Sequence, residues 1–239
     1  LYKRDGWYYL SAAEGGTGPG HSQVVFRSRK VDGPYEPWDK NPILTQRDLD
    51  PNAEGAVTCT GHSDFVKGPD GRDWVVFLGV RPYQRDFSPM GRETFLLPVD
   101  WPKGGWPMIL PPRQRVPLIA KAPGGAAAKP TKVMPDQDGA FSWRDDFKDA
   151  SLSPFWIMLR TPKEQWWSID PSAGLIFLKP RTEQLSGNGN PSFLARRVQH
   201  ARFSAETQVQ VPKEQGVSAG LAVFQNSKHH YFMGVRQMG

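Results

Sequence analysis

No stretch of this chain repeats its apolar residues at helical spacing, while several repeat them at every second position. Phe203, Ala205, Thr207, Val209 and Val211 alternate with polar neighbours, as do Val217, Ala219, Leu221 and Val223, and then Tyr231, Met233 and Val235. Residues i and i+2 share a face only in an extended strand, so the alternation predicts antiparallel strands buried on one side. Short apolar runs at 156–160 and 175–178 read as further strands. Asp5-Gly6 and Asp70-Gly71 each predict a type I′ hairpin turn, in which both central residues need positive φ. Each pair is followed by an aromatic-rich strand, Trp7-Tyr8-Tyr9-Leu10 and Trp74-Val75-Val76-Phe77-Leu78. Between them lie the strand Val24-Val25-Phe26-Arg27-Ser28 and the turn Asp32-Gly33-Pro34-Tyr35. The 24 Gly and 23 Pro fit many short strands joined by tight turns. This weak repetition suits successive blades of a β-propeller, and it equally suits a sandwich with two similar hairpins.

The composition changes along the chain. Pro111-Pro112, Gly124-Gly125-Ala126-Ala127-Ala128-Lys129-Pro130 and Pro135 belong to a stretch with neither period. It reads as a Pro/Gly/Ala-rich linker over 119–138, separating a first region, 1–118, from a strand-rich second region, 139–239. Gly124-Gly125 is not followed by the Lys-Ser/Thr of a phosphate loop.

Charge and cysteine usage exclude several classes. The net charge is +6, with most of the excess in the C-terminal half, and in that half only Arg196-Arg197 forms a basic pair, in a strand-like run. That is solvated surface rather than a nucleic-acid footprint. Cys59 is the single cysteine, so no internal disulfide forms, and its place between Thr58 and Thr60 predicts a small buried residue. No zinc-ligand spacing and no apolar run long enough to span a membrane occurs. Nine Trp, thirteen Phe and six Tyr could fill sheet cores or stack on pyranose rings.

Three further strings carry chemistry: Thr60-Gly61-His62-Ser63-Asp64-Phe65-Val66, Met90-Gly91-Arg92-Glu93-Thr94 and Trp101-Pro102-Lys103-Gly104-Gly105-Trp106-Pro107. By residue type alone, a strand histidine is ordinarily a structural hydrogen-bonder and a lone arginine is ordinarily surface. Together the strings resemble the family 43 glycoside hydrolases, the β-xylosidases, α-L-arabinofuranosidases and their relatives. Glu14-Gly15-Gly16-Thr17 and His21-Ser22 match the same family.

The resemblance implies an all-β fold: the C-terminal part of a five-bladed β-propeller over 1–118, then part of a concanavalin A-like β-sandwich over 139–239. It implies an inverting glycosidase that removes xylose or arabinose units from xylan-type oligosaccharides. The alternative is a non-catalytic carbohydrate-binding sandwich with a propeller remnant. His62 is expected near the pocket floor as an organiser of the site, holding water or, through water, a central cation. Arg92 is expected to contact the sugar, because a guanidinium forks to two oxygens at once. Glu14 is expected to support the glycine loop at the rim rather than act as the acid. Glu93, next to Arg92, should face the other side of its strand. The family's base, modulator and acid carboxylates, the last in a Glu-Gly-Pro-His motif, are expected ahead of Leu1. No catalytic carboxylate is therefore assigned within this chain, and the chain is expected to be an inactive fragment that also lacks the end of the sandwich. No cofactor is required, although a structural calcium at the propeller centre is allowed for. The partner is an oligosaccharide, with no nucleic acid and no membrane; compartment and oligomeric state stay open.

Overall fold

A computed structural model describes residues 1–84, 87–121, 142–210 and 212–238. Among them there are strands and turns but no helix. The chain divides into two units, Leu1–Ala127 with Gln199–Ala201, and Ala128–Val198 with Arg202–Gly239. The linker expected over 119–138 lies, apart from its first three residues, outside the described residues.

In the first unit, β1 (Tyr2–Arg4), β2 (Trp7–Glu14), β3 (Ser22–Ser28) and β4 (Glu36–Pro37) pair in that order, and β5 (Leu44–Thr45) also pairs with β3. A second sheet runs β6 (Thr58–Lys67), β7 (Asp73–Val80), β8 (Glu93–Pro98), antiparallel throughout. Asp5 and Gly6 have φ of 49° and 75°, the two positive values a type I′ turn demands, and they join β1 to β2. The second Asp-Gly turn differs from expectation. Only Gly71 has positive φ, 75°, and Gly68 N–H bonds Arg72 O at 2.9 Å. Pro69 is the reason: its ring fixes φ near −65°, which starts a type I turn and leaves the left-handed step to the glycine after Asp70.

The core follows from the central strands. Trp74, Val75 and Phe77 of β7 are buried with Leu97 of β8, and Tyr9, Val25 and Leu44 are buried from the first sheet. Phe77 and Phe95 sit opposite each other across β7 and β8 with rings stacked at 5.5 Å. Asn41 extends the first sheet with its side chain, accepting from Val25 N–H at 2.9 Å and donating to Val25 O at 2.8 Å.

The segment after β8 returns to the first sheet and latches onto it. Tyr9 donates to Gly105 O at 2.6 Å, Arg4 Nη2 to Trp101 O at 3.0 Å, and Gly104 N–H to Asp5 Oδ2 at 2.9 Å. Trp101 is buried against the edge of Tyr9 at 5.0 Å. Arg27 lies between the rings of Trp7 and Trp106, at 4.1 and 4.2 Å, and Trp106 stacks on Trp38 at 5.7 Å. The Arg27 guanidinium thus meets two negative ring faces.

One ion-pair cluster ties the two sheets. Asp73, at the start of β7, receives Lys67 Nζ at 2.8 Å and the guanidinium of Arg4 from β1. Burial by itself pushes this carboxyl up, but the hydrogen bonds from Lys67 and Arg4 outweigh it and hold Asp73 below the usual carboxylate range. A carboxyl depressed in the folded state stabilises the fold above its unfolded pKa, near about 3.9, and loses that contribution as pH falls toward the folded value. Asp73→Asn is expected to destabilise the chain by about 2 kcal/mol at pH 7. In thermal unfolding, the gap from wild type should narrow as pH falls below the unfolded pKa; a gap that stays constant with pH would assign the loss to packing.

The described residues of the second unit form three antiparallel pairs: β9 (Ile157–Met158) with β12 (Leu194–Ala195), β10 (Trp167–Asp170) with β11 (Leu175–Leu178), and β13 (Ser218–Asn226) with β14 (His229–Arg236). Trp166 is its buried anchor, donating to Asn190 Oδ1 at 2.8 Å, while Asn190 Nδ2 donates to Leu159 O at 2.9 Å. Two expectations fail here. Residues 203–210 form no ladder among the described residues and are exposed, although their apolar residues alternate. Tyr231 and Met233 alternate as expected on β14, yet they are 82% and 72% exposed rather than buried. Alternation marks a face; only a second layer buries it.

Candidate functional site

The first sheet and β6 meet at the loop that joins β2 to β3. Glu14 ends β2 opposite Ser22, whose hydroxyl donates to Glu14 Oε1 at 3.1 Å, and Arg47 Nη1 lies 4.0 Å from the same oxygen. Glu14 is half exposed. From the residue just ahead of β3 and from β3 itself, two side chains reach β6. His21 Nδ1 lies 3.1 Å from Cys59 O, and Gln23 Oε1 accepts from Ser63 N–H at 3.0 Å. Gln23 is held in turn by donating to Ser11 Oγ at 2.6 Å. Thr60 Oγ1 and Ser63 Oγ are buried alongside with no hydrogen-bond partner among the described residues.

His62 stands in this segment of β6, exposed, with φ of 56°. The register between β6 and β7 slips on both sides of Gly61, so the strand is bulged where His62 sits. Cys59 is not the small buried residue expected: it is half-buried and left-handed, φ 55°, because it lies in the same irregularity. Arg92 is exposed immediately before β8. Leu78 of β7 pairs with Gly61 on one side and Thr94 on the other, so His62 and Arg92 both lie near one end of this sheet, about 10 Å apart in strand spacing. Neither makes a hydrogen bond to the other among the described residues. Glu93 is engaged elsewhere: Arg81 grips its carboxylate through Nε at 3.0 Å and Nη2 at 2.6 Å. That hydrogen-bonded pairing raises the guanidinium pKa of Arg81.

The structure brings Glu14 and His62 to the two flanks of the His21–Gln23 strap and leaves Arg92 two strands away from His62. A cleft of about 520 Å³, lined by Asn52, Glu54, Arg81, Gln84, Met90 and Leu118, contains none of Glu14, His62 or Arg92. No group of three or more His, Cys, Asp or Glu side chains among the described residues could hold a metal. Calcium takes about six to eight oxygen ligands, so His62 and its neighbours do not by themselves fit that ion. Gln23 is the residue sequence reasoning missed, and His21 was singled out only as part of the family match, with no role given to it. Gln23 had no signal beyond its place just after the matched His21-Ser22.

The comparisons with known proteins cover both units. A family model described as glycosyl hydrolases family 43 matches residues 1–107. A second, the β-xylosidase C-terminal concanavalin A-like domain, matches residues 144–239. The chain is 34% identical over 237 residues to a non-reducing end α-L-arabinofuranosidase of Bacteroides ovatus, covering 97% of this chain and 42% of that protein. It is 32% identical over 231 residues to a xylosidase/arabinosidase of Butyrivibrio fibrisolvens, covering 96% and 43%. It thus spans about two fifths of the length of these relatives. Among solved structures, a GH43 protein from Bacillus licheniformis aligns with a TM-score of 0.78 at 30% identity, over 99% of this chain and 44% of that one. A GH43_12 protein from a capybara gut metagenome aligns with a TM-score of 0.79 at 34% identity, over 100% and 43%.

Proposed function

The chain belongs to glycosyl hydrolase family 43, and from that footing we propose that the whole protein is an inverting glycosidase that removes xylose or arabinose units from xylan-type oligosaccharides. The observation that carries the reading is the succession, in one chain, of a family 43 segment and the concanavalin A-like domain of β-xylosidases. In this reading residues 1–118 are the last part of a five-bladed propeller, 119–138 the linker and 139–239 part of the sandwich. A non-catalytic sugar-binding module is not favoured, since relatives named as glycosidases align over 97% and 96% of the chain.

Each side chain has a role that its geometry allows. Arg92, exposed and free of ion pairs among the described residues, can fork its guanidinium onto two adjacent sugar oxygens. The Arg81–Glu93 fork holds the strand from which Arg92 projects. His62, presented from a bulged strand, orders a water or hydroxyl in the site. Glu14, bonded to Ser22, supports the loop of Gly15 and Gly16 rather than donating a proton. The proton transfers themselves need two carboxylates on opposite sides of the glycosidic bond. The reading assigns neither to this chain and requires no cofactor.

The test is to assay the full-length protein on aryl β-D-xyloside and aryl α-L-arabinofuranoside and to follow the anomeric proton of the released sugar. Turnover of either substrate, with the product appearing first in the inverted anomer, is expected. Sugar binding without turnover would favour the module reading instead.

A further inference from the structure

Two non-glycine residues in β6, Cys59 and His62, hold left-handed backbone within four positions of one another. L-residues reach that region only against a steric penalty, so it persists where neighbours over-determine it. The neighbours here are the side chains of His21, just ahead of β3, and of Gln23 in β3. His21 is 2% exposed and Gln23 is 2% exposed. A carbonyl oxygen only accepts, so the proton in the 3.1 Å contact with Cys59 O is on His21 Nδ1. Gln23 accepts from Ser63 N–H at 3.0 Å. The segment from Cys59 to Ser63 is therefore pinned at both ends by residues two positions apart. Between the pins, the imidazole lies flat on Gly61: a Cβ there would stand 2.6 Å from His21 Nε2 and 2.8 Å from its Cε1. Glycine is thus required at 61 by the ring of His21. His62, the next residue, is exposed.

We propose that His21 is a positioning residue of the glycosidase site. By packing on Gly61 and holding the Cys59 carbonyl, it sets the backbone from which His62 is presented. This rests on the reading of His62 as part of the site. A histidine that merely filled the core would stabilise the fold without acting through His62, and the two roles separate in a double-mutant cycle.

In the full-length enzyme, His21→Ala is expected to lower kcat/KM on the aryl glycoside by about 10- to 100-fold, the loss that follows when a site group is displaced by about 1 Å. His21→Asn, whose side-chain amide can still donate to the Cys59 carbonyl, should recover most of that loss. His21→Phe keeps a ring against Gly61 and deletes the donor, so it serves where the alanine variant does not fold. In a His62→Ala background, the same His21 substitution is expected to cost nothing more. Equal losses with and without His62 would overturn the positioning role and leave the site reading standing. A wild-type enzyme inert on both substrates, or one indifferent to His62→Ala, would overturn the site reading and this proposal together.

Discussion

Residues 1–239 expressed alone are expected to leave aryl β-xyloside and aryl α-L-arabinofuranoside unhydrolysed above a buffer blank. An inverting mechanism needs an acid and a base roughly 6.5–9.5 Å apart across the scissile bond. Four carboxylates of the first unit are held by structural partners. Asp73 binds Arg4 and Lys67, Glu93 is gripped by Arg81, Asp70 pairs with Arg72, and Glu14 takes the Ser22 hydroxyl. Without an acid or a base, each missing group removes about 10²- to 10⁴-fold from the rate, and the two together reduce turnover to the blank. Reproducible hydrolysis that disappears in Glu14→Gln would make Glu14 the acid and this chain an enzyme in its own right.

Arg92→Ala in the full-length protein is expected to cost about 2 to 3 kcal/mol of transition-state stabilisation, a roughly 30- to 150-fold fall in kcat/KM. Arg92→Lys should recover little, because an ammonium cannot fork onto two sugar oxygens. The thermal midpoint should not move in either variant, since Arg92 is exposed and forms no ion pair among the described residues. That separates a lost contact with substrate from a damaged fold. Unchanged kcat/KM would remove Arg92 from the site.

Much of the fold was legible because its signals are local. Asp5-Gly6 makes the turn its dipeptide demands, and β3, β7 and β11 fall on their apolar runs. Where a neighbour intervenes, the local signal is not enough. Pro69 redirects the Asp70-Gly71 turn, and the alternating residues 203–210 have no partner strand among the described residues to make them a ladder. The site shows the same division. His62 and Arg92 were found by the strings around them. His21 was matched in the same way, but its role was not legible, because what distinguishes it is steric: a ring fitted to a glycine 40 residues further along, beside a carbonyl 38 residues away. Such fits have no spacing that a single sequence displays.

The latch of Trp101, Gly104, Gly105 and Trp106 on the first hairpin has a consequence in time. Its bonds join residues 96 to 99 positions apart. At a synthesis rate of about 5–20 residues per second, the β1–β2 hairpin waits roughly 5 to 20 seconds for them after it emerges from the ribosome. Throughout that interval the nascent chain displays Tyr9, which ends fully buried, and Trp7, whose guanidinium partner Arg27 still lacks its second ring. This hairpin is thus completed by residues nearly one hundred positions further along the chain. A chaperone that shields aromatic side chains during translation has its work set at this hairpin.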